Sequence, residues 1–198
     1  MTARPFILVA VLLSTVAGCT KIDRNFGMAP VPMEAREDLV PLSPYRVEHV
    51  HVEVPRDLSV SERDSYFPRG DIVWREDRFG DRYEQVYEVV HTGLHLGADE
   101  FSGDFPIVVD VRVRRFHALS EKARYSVGGI YNILFDMQVS DAVSGEVLFP
   151  WYAVNAEFAA NGGRAAMAEE LQGYTQRVRI QDRLKYVMQY EILNLPDP

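Results

Sequence analysis

The amino-acid sequence predicts an α+β domain, a two-layer sandwich in which one medium helix and one long C-terminal helix cover one face of a mostly antiparallel sheet. Three observations predict this fold. Apolar and polar residues alternate in 45–55, 107–114 and 129–140, as in strands with one buried face. Apolar residues recur at helical spacing in 83–94 and 164–193. Three consecutive strands are predicted between the two helices, which favours antiparallel pairing.

The first predicted strand begins at Tyr45 and ends at Pro55. In YRVEHVHVEVP the last three valines share one face, and His49, His51 and Glu53 share the other. This alternation is typical of a strand with one side against a core. A brief apolar segment, GDIVWRE, predicts a second, short strand before the first helix.

The medium helix is predicted within DRYEQVYEVVHTGLHLGADEF. Its apolar residues recur three and four positions apart, at Tyr83, Val86, Tyr87, Val90 and Leu94. Gly93 and Gly97 are expected to weaken the end of this helix or to terminate it.

Three further strands follow. In PIVVDVRVRRFHAL one face carries Ile107, Val109, Val111 and Val113, and the opposite face carries Asp110, Arg112 and Arg114. GGIYNILFDMQVSD alternates in the same way, and SDAVSGE predicts a hairpin turn into VLFPWYAVNAEF. Pro150 places this last strand at a sheet edge or at a bulge.

The long helix is predicted from about Arg164 to Leu193, after the break at Asn161-Gly162-Gly163. Its apolar residues form two slightly rotated stripes: Met167, Leu171, Tyr174 and Val178, then Leu184, Val187, Met188 and Ile192. Two prolines beyond it prevent the helix from continuing.

The first nineteen residues, MTARPFILVAVLLSTVAGC, have the order of a secretory signal peptide. Arg4 supplies the positive charge, an apolar stretch follows, and small residues precede Cys19. The apolar stretch is shorter than the ~20 residues that a membrane-spanning helix needs. The sequence therefore predicts export, and a buried core helix is the alternative for this segment.

The residues at the end of this segment, Val16-Ala17-Gly18-Cys19, resemble the lipobox of bacterial lipoproteins at all four positions. The resemblance implies cleavage between Gly18 and Cys19, a diacylglycerol on the Cys19 sulfur, and acylation of the new amino group, typically by palmitate. Thr20 in the second mature position implies the outer membrane, facing the periplasm, rather than the inner membrane. An unpaired reactive or intermolecular thiol is the alternative for Cys19.

These features divide the chain into three parts: a lipoprotein signal peptide (1–18), an acylated N-terminus with a flexible tether (19–44), and a periplasmic α+β domain (45–198). Four prolines without regular apolar spacing predict the tether. The tether is interpreted as a spacer, and a docking segment for a partner is the alternative.

The chain is acidic, with a formal net charge of −8. Nucleic-acid binding needs clustered Lys and Arg, so that class of function is excluded. Electrostatic adhesion to anionic lipid is disfavoured for the same reason. Membrane attachment is therefore expected to depend on the lipid anchor.

Positive charge is concentrated in one segment, VRVRRFHALSEKARY, at Arg112, Arg114, Arg115, Lys122 and Arg124. Such a patch could bind a carboxylate-rich partner or a phosphorylated lipid headgroup. The alternative is internal pairing with the many acidic residues of the chain.

No segment carries a recognisable active-site motif. His49 and His51 share a strand face with Glu53, and His91 and His95 are four residues apart, but solvent-facing histidines explain both pairs as well as a metal site does. The acidic residues Asp71, Glu76, Asp77 and Asp81 are interpreted as a solvated face. We therefore expect no catalytic residue, no metal and no cofactor, and a protein that is not an enzyme.

The predicted element order is similar to that of small periplasmic lipoproteins that serve as auxiliary subunits of envelope transport and assembly systems. RFHALSEKARYSVGG also resembles an uncharacterised proteobacterial lipoprotein family. These resemblances imply a non-catalytic auxiliary or assembly subunit with an envelope protein partner. The alternative is a carrier of a lipid or small ligand between the long helix and the sheet, lined by Tyr131, Phe135, Trp151 and Tyr174. The sequence does not define an oligomeric state.

Overall fold

A computed structural model of the chain describes Val31, Val40 and residues 42–198. The predicted signal peptide, the cleavage site at Gly18, the anchor at Cys19 and most of the tether lie outside these residues. None of the helices within the described part is long and apolar enough to cross a membrane.

The described part of the chain contains six strands and four helices. The strands are β1 (Tyr45–Glu53), β2 (Ile72–Val73), β3 (Phe105–His117), β4 (Gly129–Asp141), β5 (Val147–Asn155) and β6 (Phe158–Ala160). The helices are α1 (Arg82–Ala98), α2 (Glu121–Arg124), α3 (Gly163–Leu171) and α4 (Gln176–Leu193). Along the chain their order is β1, β2, α1, β3, α2, β4, β5, β6, α3, α4.

The predicted α+β class is confirmed, with a sheet that is mixed. Its main strands lie in the order β1-β3-β4-β5, and β3, β4 and β5 pair antiparallel as expected. β1 and β2 both pair parallel with β3, β1 along its first part and β2 at its end. β6 pairs with the start of β4. One strand, β3, therefore has neighbours along its whole length.

The core lies between one face of this sheet and helices α1 and α4. The predicted inward faces of β3 and β4 are buried there, together with the apolar stripe of α1 and the second predicted stripe of the C-terminal segment. The opposite sheet face, which we call the open face, carries partly exposed polar residues. Burial of the apolar residues on one side supplies the main stabilisation of this two-layer arrangement.

Gly93 and Gly97 allow α1 and α4 to approach closely. A Cβ atom at Gly97 would lie 2.3 Å from the carbonyl oxygen of Lys185, and one at Gly93 would lie 2.8 Å from Cβ of Leu184. α1 runs through Gly93 and ends one residue after Gly97. These glycines therefore serve helix packing, and sequence reasoning gave them only a role in ending the helix.

The predicted C-terminal helix is interrupted, because residues 172–175 separate α3 from α4. Gly173 has a φ of +89° in the break, and the hydroxyl of Thr175 caps α4 by accepting a hydrogen bond from the backbone N–H of Val178 at 3.4 Å. The first predicted stripe is divided: Met167 and Leu171 lie in α3 and are exposed, Tyr174 lies in the break, and Val178 lies in α4. The second stripe lies in α4 and is buried, so only α4 belongs to the core.

Candidate functional site

A cavity of about 630 Å³ lies at the end of the sheet where β3 finishes and β4 begins. We call it the end cavity. Its walls come from residues 66–68, the last part of β3, the segment 118–123 around the start of α2, and residues 127–130 at the start of β4. Two parts of the chain that are distant in sequence, 66–68 and 115–130, thus meet around one space.

A bulge in β3 turns the polar end of the strand toward this space. Val113 pairs with Phe135 and Arg115 with Leu134, so Arg114 is an extra residue between the two pairs. The extra residue reverses the alternation, which buries Phe116 in the core and places Arg115 and His117 on the open face. Bulges re-aim side chains in this way at functional sites.

α2 is held against the loop that forms the opposite wall. The Ser120 hydroxyl accepts a hydrogen bond from the backbone N–H of Ala123 at 3.2 Å, which caps the helix. The same hydroxyl donates to the carbonyl oxygen of Ser65 at 2.7 Å, and the backbone N–H of Lys122 donates to Asp64 at 2.7 Å. These bonds position Tyr66 and Phe67, the next residues of the loop.

The glycine pair Gly128-Gly129 in the remaining wall packs backbone on backbone against a second pair, Gly162-Gly163. Gly128 has a φ of +74°, and a Cβ atom at Gly162 would lie 1.9 Å from the Gly128 nitrogen. The segments SVGGIY and NGG, which in sequence suggest only a strand start and a break, therefore lie against each other. Since Gly128 lines the end cavity, this contact fixes the shape of the wall.

Two polar atoms of residues that line the end cavity are buried without a hydrogen-bond partner among the described residues: Nε of Arg115 and Nε2 of His117. Burial and the neighbouring Arg115 lower the pKa of His117 to about 4, against smaller opposing effects of a hydrogen bond to the Pro68 backbone and of Asp71. His117 is therefore neutral at pH 7. Unsatisfied buried polar atoms are uncommon in native proteins and point to a missing partner.

The mouth of the end cavity is apolar and exposed. Phe67 is 91% exposed, Val127 74% and Ile130 55%, and Tyr66 is also classed among the exposed large apolar residues. All four line the cavity, so they form one continuous rim. We call these four residues the rim. An exposed apolar surface of this kind marks a binding site more often than an accident of folding.

The five basic residues predicted as a patch have different environments. Arg112 pairs with Glu53 at 3.5 Å, Arg114 pairs with Asp136 at 3.3 Å, and both lie on the open face. Arg124 is buried and pairs with two glutamates, Glu76 at 3.4 Å and Glu170 at 3.1 Å. Internal pairing, the alternative considered above, thus describes these three.

The other two predicted basic residues lie at the end cavity or beside it. Arg115 lines it and forms no ion pair with any described residue. The Lys122 Nζ atom lies 4.8 Å from the centroid of the Tyr66 ring, in a cation–π contact. Free positive charge in this segment is therefore found next to the rim.

The histidine pairs do not form metal sites within the described residues, where no three His, Cys, Asp or Glu side chains are suitably grouped. The rings of His49 and His51 stack at 5.9 Å, and His51 also contacts Asp110 at 3.0 Å. Glu53, expected beside them, pairs with Arg112 instead. His91 and His95 stack at 5.4 Å on the solvent side of α1.

Asp71, Glu76, Asp77 and Asp81, interpreted as a solvated face, each also hold part of the fold: Asp81 is exposed, and the other three are partly buried. Asp81 caps α1 and Asp71 accepts two hydrogen bonds from Ser59, which lowers the pKa of both carboxyls. In Asp81 the largest cause of the lowered pKa is its hydrogen bond from Arg56. Carboxylates spaced along a loop are used here as hydrogen-bond acceptors for backbone and arginine groups.

The four residues predicted to line a ligand groove between the long helix and the sheet have different environments. Tyr131 and Phe135 are buried in the core, while Trp151 and Tyr174 are about half exposed. None of these four lines the end cavity. A ligand groove at these four residues stays a prediction.

Sequence reasoning missed His117 and Phe67. A signal for His117 was present in the sequence. The doublet Arg114-Arg115 breaks the alternation, and the next residue is apolar at a position where the alternation would place a polar one. Such a break is the sequence mark of a bulge. Phe67 lies in a loop without periodicity, and its exposure could not be read from the sequence.

Comparison with solved structures gives distant similarities. A candidate lipoprotein from Caulobacter crescentus CB15 is 15% identical, with a TM-score of 0.30, over 54% of this chain and 79% of that one. Protein XCC0632 from Xanthomonas campestris, assigned to family DUF330, is 10% identical, with a TM-score of 0.41, over 82% and 86% of the two chains. An uncharacterised protein is 15% identical, with a TM-score of 0.34, over 71% and 91%.

No curated protein matches the chain. One family model does, over residues 45–197, which is most of the sequence. The chain therefore belongs to the family of unknown function DUF6778.

Proposed function

We propose that this chain is a non-catalytic lipoprotein, held by acylated Cys19 at the outer membrane and facing the periplasm, whose domain binds a protein partner of an envelope complex through the rim. The observation that carries the proposal is the exposure of Tyr66, Phe67, Val127 and Ile130 around one cavity mouth. The lipobox-like segment and the proline-containing tether support the anchor and the reach of the domain.

The charge of the chain favours a protein over a membrane surface as the partner of the rim. An apolar surface could also insert into lipid, but the chain has a net charge of −8, and anionic lipid repels such a domain. The rim contains two aromatic residues, Tyr66 and Phe67, a type enriched at the centres of protein interfaces. Phe67 is the most exposed of the four and is expected to be the anchor residue of the interface.

Photocrosslinking in living cells tests this proposal. The full-length lipoprotein carries p-benzoylphenylalanine in place of Phe67 or, as a matched control, in place of Val143. Val143 is 84% exposed and lies in the turn after β4, at the other end of that strand from the cavity. We expect one abundant envelope protein to be crosslinked from position 67 only, and to be lost when Cys19→Ala removes the anchor.

Equal crosslinking from both positions would show that position 67 has no specific partner and would contradict the proposal. The absence of any crosslink from position 67 would contradict it as well. A crosslink that persists in full with Cys19→Ala would separate partner binding from anchoring and would refute the anchored form of the proposal.

Binding of a small ligand is a second candidate function, and a specific observation favours it. The rim alone would suit a partner, but a protein docked on the rim does not account for unpaired polar atoms of Arg115 and His117. A molecule inside the end cavity would account for them.

A further inference from the structure

We propose that the end cavity binds an amphiphile with an anionic head, which pairs with the guanidinium of Arg115 beside His117 while its apolar chain lies along the wall that leads to the rim. This inference goes beyond the docking of a protein partner and does not depend on it. It rests on the unpaired atoms, on the charge balance around Arg115 and on the composition of the walls.

The unpaired Arg115 Nε is the first step of the argument. A buried N–H donor without an acceptor loses its hydration and gains nothing in return. Within the described part of the chain neither protein side chain nor backbone supplies an acceptor for it. An acceptor from outside the fold would remove this cost, and a charged acceptor would do so best because the donor is a guanidinium.

Arg115 forms no ion pair with any described residue. Asp71 interacts with it electrostatically from beyond ion-pair distance, while Oδ2 of Asp71 accepts hydrogen bonds from the backbone N–H and hydroxyl of Ser59 at 2.9 and 2.6 Å. The neighbouring Arg114, in contrast, forms an ion pair with Asp136. The bulge thus places one paired and one unpaired arginine next to each other, and the unpaired one lines the cavity.

His117 adds a second group for the head. Interaction with the Pro68 backbone partly offsets the lowering of the His117 pKa, and Nε2 has no hydrogen-bond partner among the described residues. In its Nδ1-protonated tautomer a neutral histidine presents Nε2 as an acceptor. Arg115 and His117 together offer a donor and an acceptor. A monoanionic phosphate monoester can use both, because it carries charged and hydroxyl oxygens, and a carboxylate can use the Arg115 donor alone.

The rest of the cavity suits an apolar chain. Leu119, Ala123, Val127 and Ile130 contribute walls that cannot form side-chain hydrogen bonds, and Phe67 and Pro68 continue them to the mouth. The volume of about 630 Å³ lies within the range of ~300–1,000 Å³ that is usual for ligand sites. A purely polar anion would leave these walls unused, so an amphiphile fits better than a free inorganic ion.

Calorimetric titration of the full-length chain carrying Cys19→Ala, which avoids detergent, tests the inference with three probes below their aggregation concentrations. The probes are dodecanoate, dodecyl phosphate and dodecanol, which share a chain and differ in the head. We expect at least one anion to bind about tenfold more tightly than dodecanol, as one charge-assisted hydrogen bond allows. Which anion binds more tightly distinguishes a carboxylate from a phosphate head.

Two matched variants locate the head. Arg115→Gln should reduce anion binding to the dodecanol level, while Arg114→Gln, on the adjacent residue, should leave it unchanged. Ile130→Glu, at the exposed mouth, should weaken the anions more than dodecanol without touching Arg115. Because the three probes are compared first on the unaltered cavity, the test stands even where Arg115→Gln lowers stability.

Binding of dodecanol as tight as that of both anions would overturn the inference, as would no binding of any probe. An Arg115→Gln chain that retains the wild-type preference for an anion would also overturn it. None of these three results affects the crosslinking test at Phe67, so the failure of this inference is distinguishable from the failure of partner binding.

Discussion

Arg183 on the last helix is buried, Arg115 at the end cavity is partly buried with its Nε atom withdrawn from solvent, and their surroundings differ. Arg183 on α4 is 4% exposed and donates to the carbonyl oxygens of Ala156 at 3.3 Å, Glu157 at 3.5 Å and Val31. Arg115 on β3 has an Nε without a partner in the described chain. One guanidinium is used by the fold, and the other is left for something outside it.

The comparison gives a criterion for separating structural from functional charge in this protein. Arg183 connects α4, the segment after β5 and Val31 through the hydrogen bonds of one side chain. Removing it would leave carbonyl groups unpaired in a buried place. Removing Arg115 would leave no described group unpaired.

The largest expected difference is therefore in stability. Arg183→Met should lower the free energy of unfolding by about 3–5 kcal/mol, as the loss of one partner in a buried polar cluster does. Arg115→Met should change it by less than about 1 kcal/mol or raise it, since an uncompensated charge is replaced by an apolar chain. Urea denaturation of the two variants measures both values, and equal losses would remove the distinction.

The glycine contact that forms the wall of the end cavity should give the next largest effect. A Cβ atom at Gly162 would meet the backbone of Val127 and Gly128, so Gly162→Ala should cost about 2–4 kcal/mol and weaken ligand binding. Gly145→Ala is the matched control, because Gly145 has a φ of +74° but nothing within 4 Å of the added atom. It should cost about 1 kcal/mol through backbone strain alone.

If the control variant proved as damaging as Gly162→Ala, the close contact would not be what sets the cost. Thermal unfolding followed by circular dichroism is sufficient for this comparison. The probe affinities of Gly162→Ala, measured where the variant is folded, report separately on the shape of the cavity.

The two regions should also respond oppositely to pH. Under α4, burial raises the pKa of Glu191 to about 7, which the neighbouring Tyr152 hydroxyl partly offsets. The folded state then holds a proton that the unfolded state has lost, so this group makes stability fall as pH rises from about 4.5 to 7. In the cavity the pKa of His117 is lowered to about 4, so that group makes stability fall as pH drops from about 6.5 to 4.

Single variants should reveal each dependence. In Glu191→Gln the melting temperature should fall on acidification from pH 6.5 to 5, because only the His117 effect remains. In His117→Asn it should rise over the same interval. Each effect amounts to roughly 2–3 kcal/mol over its whole range. Parallel pH profiles for the two variants would show that these groups do not control the titration.

The smallest expected effect on stability belongs to the rim. Phe67→Ser should change the free energy of unfolding by no more than about 0.5 kcal/mol, because the side chain is almost fully exposed. The same change should reduce the crosslinking yield from a reporter placed at Val127. A large loss of stability in Phe67→Ser would mean that the rim supports the fold and is not kept free for a partner.

Much of the fold could be predicted because periodicity reports burial directly. The alternation in β3 and β4 and the stripe of α1 identified the core faces, and the structure confirms them. The break between α3 and α4 was missed, since Gly173 and Thr175 sit within a run that otherwise keeps helical spacing. A short interruption barely disturbs the helical spacing of the apolar residues, but it changes which of the two stripes is buried.

The candidate site could be predicted only in part. Arg115 was included in the basic patch, but its difference from Arg114 depends on a bulge, and its difference from Arg124 depends on two distant glutamates. His117 and Phe67 belong to the site because strands and loops far apart in sequence meet there. Such meetings are set by tertiary packing and leave little trace in local sequence.

One measurement tests the central claim, that Arg115 is held free for an anionic ligand, more directly than the others. Dodecanoate and dodecyl phosphate are titrated separately into the ¹⁵N-labelled full-length chain with Cys19→Ala, and the arginine Nε–H resonances are followed by NMR, with Arg115 assigned from its loss in Arg115→Gln. The account predicts that with at least one anion the Arg115 resonance shifts most while that of Arg183 stays in place. A stationary Arg115 resonance at saturating concentrations of both anions would contradict it.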